Sequence, residues 1–171
     1  MSRREPTFPP SAASARKPTP GPRDIHVDEL ALAIVRHLRD GRKSFREIAA
    51  ALGVTENTVR ARVRRMERAG ILEITGTVDP YTVPNHFLVL VGVKLKTVRL
   101  VEKAEEFGRL RGVVSVAVVT GQYDLILTVL LNDELTIKRF YTEEVAKIPD
   151  IQSTETWVVY HHVRGRVPYV L

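Results

Sequence analysis

Between Ser44 and Ala69 the chain reads SFREIAAALGVTENTVRARVRRMERA, and its caps and glycines leave little freedom in how it folds. Ser44 and Glu47 form an S-x-x-E capping box, which starts a helix at Phe45. Ile48, Ala49 and Leu52 recur at helical spacing and give that helix an apolar face. Gly53 ends it, because glycine enters the left-handed region at a helix C-terminus without steric cost. Thr55 caps a second helix, and no glycine or proline interrupts 56–69 before Gly70 closes it.

The second helix has two distinct faces. Val59, Val63 and Met66 fall in a narrow arc and are expected to pack inward. Asn57, Ala61, Arg64 and Arg68 lie opposite, with Arg60 and Arg65 on either side of them. Two short helices around a tight turn, the second lined with arginine, suit a chain that lays one helix in the major groove of double-stranded DNA. Asn57, Thr58, Arg60 and Ala61 are the expected base contacts, since Arg bonds bidentately to guanine and Asn to adenine. Arg64, Arg65 and Arg68 lie further along and are expected at phosphates. Ser44 and Thr55, the two N-caps, complete the DNA-contacting set. Arg62 sits nearer the buried side and is expected to form an internal ion pair, with Glu47 as the candidate partner. A solvated basic face on an ordinary helical hairpin is the plainer alternative. The agreement of cap, glycine turn and second helix in order and length favours DNA.

Composition narrows the remaining classes. At 171 residues the chain holds one medium domain or two small ones. It has no cysteine, so disulfides and thiolate metal sites are excluded, which fits a reducing cytoplasm. No apolar run approaches the length of a membrane span, and the N-terminus shows no apolar segment of a secretory signal. The net charge of +6 is unevenly placed. Residues 1–24 carry five Lys/Arg against two Asp/Glu, residues 25–75 ten against seven, and residues 76–171 eleven of each. The excess therefore lies where a polyanion would bind.

Residues 1–24, rich in Pro, Ser, Ala and Arg, read as a disordered basic tail. Val27, Leu30, Ile34 and Leu38 make an apolar stripe, so a first helix over 27–38 completes a three-helix helix-turn-helix domain at 25–75. Ile71–Val78 reads as a short wing or linker strand, and 76–85 as a linker. A second pattern covers 86–162. His86–Lys96 is a strand, and Val98–Leu110 a helix with Val101, Ala104 and Phe107 or Gly108 inward. Val113–Thr120 is a strand, followed by a turn at Gly121, Gln122 and Tyr123 and a strand at Asp124–Leu131. Asp133–Lys147 is a helix capped by Asp133, and Ile151–His162 a final strand. This βαββαβ order predicts an α+β chain whose second domain is ferredoxin-like. Two helices on one face of its antiparallel sheet leave the other face to be covered. Alternating apolar residues on several strands make a second copy of the chain the simplest cover, hence a homodimer. In the extension 163–171, Val167, Tyr169, Val170 and Leu171 suggest packing.

DGRKSFREIAAALGVTENTVRARVRRMERAGIL, TGQYDLILTV and IPDIQSTETWVVY, in this order, resemble the leucine-responsive/asparagine-type (Lrp/AsnC, feast/famine) transcription regulators over about residues 26–162. The resemblance implies dimerisation through the βαββαβ domain, assembly of dimers into higher oligomers, and response to an amino acid. It also implies an effector site near the G-x-Y-D turn, formed by Gly121, Gln122, Tyr123 and Asp124, with Thr154 and Thr156 as further candidates. A glycine turn exposes amide donors for a carboxylate, and Asp124 has the charge to hold an ammonium. Gly121 and Asp124 also suit a hairpin turn that binds nothing.

An enzyme of the same architecture is the rival. The sirohaem decarboxylases resemble these regulators over both domains, but carry histidines where this chain has VSVAVVTGQYDLILTV. His161 and His162 are adjacent, so in a strand they point to opposite faces and do not chelate one ion. No catalytic constellation, metal site or cofactor is expected.

Overall fold

Asp28 opens the first helix, α1 (Glu29–Leu38), by accepting a hydrogen bond from the Ala31 N–H at 2.9 Å. The capping box is reciprocal: Ser44 Oγ accepts from the Glu47 N–H at 3.2 Å, and the Ser44 N–H donates to Glu47 Oε2 at 2.7 Å. It starts α2 (Phe45–Leu52), which Gly53 ends at φ 65°. Thr55 then accepts from the Thr58 N–H at 3.2 Å and starts α3 (Glu56–Arg68). Helices this short are marginal alone. They are held by a shared core of Ala31, Ile34, Ile48, Ala49, Val59, Val63 and Met66, all nearly inaccessible to solvent.

These helices belong to the first of two compact units in this computed structural model, which describes residues 27–171. That unit ends at Ile74, and the second runs from Thr75 to Leu171. The tail expected over 1–24 lies outside the described residues.

The ion pair of Arg62 differs from expectation. Its guanidinium meets Asp28 Oδ2, not Glu47. Asp28 thereby caps α1 with one oxygen and holds α3 with the other. The Glu47 carboxylate is already occupied by the hydroxyl and N–H of Ser44, which hold its pKa below the usual carboxylate value.

The second unit begins with β1 (Thr77–Val78) and continues through β2 (Phe87–Leu95), α4 (Leu100–Phe107), β3 (Val113–Val118) and β4 (Leu125–Leu131). α5 (Ile137–Arg139) runs on through a π-helical turn at Phe140–Glu144 and a 3-10 turn at Val145–Lys147. β5 (Ile151–Val158) and β6 (Val167–Pro168) follow. The main sheet is antiparallel in the order β3-β4-β2-β5. Val89, Val91, Val93 and Leu95 alternate inward from β2, and Leu125, Leu127, Val129 and Leu131 from β4. They meet Phe107 and Leu110 from the α4 side, and Leu135, Phe140 and Val145 around α5. This is the ferredoxin-like arrangement, with both helical segments on one face.

Three local expectations are corrected. Val101 is 67% exposed rather than inward. α4 instead packs Leu100, Ala104 and Phe107 on the core, and buries Lys103, whose Nζ reaches Glu106 at 2.9 Å and Asp150 at 3.5 Å. α5 is capped by Thr136, not Asp133. Asn132 Oδ1 accepts the N–H groups of Glu134 and Leu135 at 3.0 and 2.8 Å, an Asx turn that delays the helix. Of the segment 71–78 only Thr77 and Val78 form a strand, and it pairs with Pro168 and Val167 of the C-terminal extension. Val167 is buried with Leu88 and Leu130 on the sheet face away from the helices. The chain therefore covers part of that face itself. Beyond this cover Leu90, Ile126 and Thr128 are half-buried, and Ala117 and Trp157 exposed.

Candidate nucleic-acid interface and effector corner

The outer side of α3 presents Asn57, Ala61, Arg64, Arg65 and Arg68, all exposed. Among the described residues Arg64, Arg65 and Arg68 make no ion pair. They stand on a helix locked from behind by the core and by the Arg62–Asp28 pair. Ser44, Thr55 and Thr58 are engaged locally. The Ser44 hydroxyl donates to Glu47 at 2.7 Å, and the Thr55 and Thr58 hydroxyls share a hydrogen bond of 2.9 Å.

Arg60 is held differently from its neighbours. Its Nη2 lies 2.5 Å from Glu56 Oε1, one turn earlier, and its Cζ lies 5.4 Å from the centre of the Phe45 ring. Sequence reasoning passed over Glu56, although the i, i+4 spacing to Arg60 was the available signal. It also passed over Arg42, Lys43 and Arg46, exposed around the start of α2.

In the second unit the turn residues Gly121 and Gln122 are exposed, and Gly121 sits at φ 124°, a conformation open to glycine. Tyr123 lies over Gly92 of β2 and meets Trp157 edge to face at 5.3 Å. A Cβ on Gly92 would come within 2.8 Å of Tyr123 Cδ1 and 2.9 Å of Trp157 Cη2, so the bare glycine makes room for both rings. The Tyr123 hydroxyl donates to Glu155. Gly92 pairs with Glu155 and Ile126, which places this corner on the face away from the helices.

Thr154 and Thr156 do not join this corner. They pair with Val93 and Val91, whose side chains enter the helix-side core, and Thr156 Oγ1 bonds the Tyr141 hydroxyl at 2.6 Å. Asp124 is also committed within the fold. Its Oδ2 accepts the Leu95 N–H at 2.8 Å and its Oδ1 meets Lys94 Nζ at 2.9 Å. The backbone N–H foremost, and then the ammonium, hold its carboxyl below the usual aspartate range.

A depressed pKa means the anion stabilises the fold. That contribution is fully present above the unfolded-state pKa of about 4, and is lost as pH falls through the lower folded value. Asp124→Asn is therefore expected to cost roughly 2 kcal/mol at neutral pH, with the gap to wild type closing in acid. Denaturant melts across pH measure it, and a gap that stays constant into acid contradicts it.

The family model of the AsnC-type helix-turn-helix domain matches residues 27–67, and that of the Lrp/AsnC ligand binding domain matches residues 88–168. An uncharacterized HTH-type transcriptional regulator of Pyrococcus abyssi is 33% identical over 139 residues, spanning 80% of this chain and 88% of that protein. The HTH-type transcriptional regulator Ptr1 of Methanocaldococcus jannaschii is 30% identical, over 78% and 91% of the two chains. The structure of E. coli AsnC superposes with a TM-score of 0.60 at 25% identity, covering 79% of this chain and 93% of that one. The arginine-faced α3, except its last residue Arg68, lies in the first matched segment and the Tyr123 corner in the second. With that order of domains and relatives at this identity over most of their length, the chain belongs to the Lrp/AsnC family of DNA-binding transcription regulators.

Proposed function

We propose that this regulator reads a specific DNA sequence as a homodimer and changes its assembly or helix spacing on binding a small effector, with an amino acid as the expected class. The exposed Asn57–Arg68 face of α3 carries the DNA part, because it combines base-reading and phosphate-binding side chains on one rigid helix. Two copies of α3 in a dimer imply a pseudo-palindromic site. The half-covered sheet face with Leu90, Ile126 and Trp157 supports dimerisation there. Relatives named as transcription regulators favour this reading over an enzyme. Among the described residues no helix is long and apolar enough to cross a membrane.

For the effector, the exposed Gly121–Gln122 turn offers amide donors to a carboxylate. Since the Asp124 charge is matched by Lys94, Glu155 beside Tyr123 is the better acceptor for an ammonium. Thr154 and Thr156, on the other face, are left out of this reading. Sedimentation of the full chain with each amino acid, with and without its DNA site, tests it. A shift in assembly or DNA affinity with at least one of them is expected. Unchanged sedimentation and affinity across the set would sink the effector role.

A further inference from the structure

The arginines of α3 divide into two groups. Arg60 and Arg62 each have a carboxylate partner, whereas Arg64, Arg65 and Arg68 have none among the described residues. Arg62 faces α1, so its pair is architectural. Arg60 stands on the flank of the outer face, and its partner Glu56 is the first residue of the same helix. A carboxylate at that end is favoured by the helix dipole, yet it opposes DNA phosphates. An arginine meant for phosphate gains nothing from such a neighbour.

An arginine meant for a base does gain. A free guanidinium must freeze several rotatable bonds on binding. Here Phe45, the first residue of α2, lies under the guanidinium and limits its tilt. Glu56 takes one Nη2 donor and limits its rotation within that plane. Of the five N–H donors, others remain free to bond guanine O6 and N7.

We propose that Glu56 and Phe45 are positioning residues that orient Arg60, and so determine its discrimination between base pairs. The inference rests on the reading of α3 as the base-contacting helix. An exposed i, i+4 pair adds little to stability, so the consequence lies in specificity. Glu56→Gln keeps the size and one acceptor but removes the charge. Phe45→Leu keeps the apolar contact but removes the ring.

The test uses the full chain. Selection from random duplexes defines the site, and Arg60→Ala identifies the base pair whose preference depends on Arg60. Wild type is expected to discriminate there by roughly tenfold or more. Glu56→Gln and Phe45→Leu are expected to lose most of that discrimination at the same base pair and keep it elsewhere. Glu56→Gln is also expected to bind random duplex more tightly, with a melting temperature lowered by no more than a few degrees. Wild-type discrimination at that base pair in Glu56→Gln overturns the inference alone. Equal loss at every base pair, with a melting temperature lowered by more than that, also overturns it, because the role is then structural. No enriched site for wild type overturns the reading of α3 and the inference together.

Discussion

Replacing Arg64, Arg65 and Arg68 together by alanine is expected to weaken binding to specific and random duplexes alike, by at least about a hundredfold. Each arginine that neutralises a phosphate releases a condensed counterion, so the slope of log affinity against log salt should become shallower by about three for each bound subunit, or about five for a dimer on its full site. The melting temperature should hardly move, since all three side chains are exposed and outside the core. A salt titration of the variant beside wild type measures this. An unchanged slope would place the phosphate contacts elsewhere, with Arg42, Lys43 and Arg46 the next candidates.

The second large effect concerns assembly. Leu90 lies in mid-strand on β2, on the face away from the helices, half-buried between its partners Thr128 and Trp157. Leu90→Glu would place two carboxylates in a dimer interface built on that face, without a partner for either. The variant is expected to sediment as a monomer at micromolar concentration. Loss of the second half-site contact should lower affinity for the full site by about 10²- to 10⁴-fold. Binding to an isolated half-site should change little. A folded Leu90→Glu variant that remains a dimer would refute the use of this face.

The helices of the first unit were legible because each carries its own start and stop. Ser44 and Thr55 cap, Gly53 turns, and the apolar spacing needs no knowledge of the partner helix, whereas the capping of α1 by Asp28 came only with the structure. The βαββαβ order was legible for a similar reason: the inward residues of β2 and β4 alternate with period two. What was hidden depends on contacts distant in sequence. Arg62 has several carboxylates within plausible reach, and only the fold selects Asp28, 34 residues away. β1 and β6 are two residues each, too short for any periodicity, and exist because Val167 finds Leu88 and Leu130. The Asx turn of Asn132 moved the start of α5.

The candidate site was legible unevenly for the same reason. The outer face of α3 follows from helical geometry alone. The effector corner depends on which face of β5 each residue takes. A strand alternates, so Thr154 and Thr156 share the helix side while Glu155 and Trp157 share the other. The resemblance named Thr154 and Thr156 without regard to face, and the sheet register puts Glu155 and Trp157, not the threonines, beside Tyr123.

Paired copies of α3 are expected to read sequence. In-vitro selection of bound duplexes from a random pool, with the full chain near physiological salt, tests this most directly. One enriched inverted repeat is expected, its half-sites about one helical turn apart or a multiple of that, with one position in each dependent on Arg60. Recovery of duplexes with no common motif, bound as tightly as the unselected pool, would contradict it.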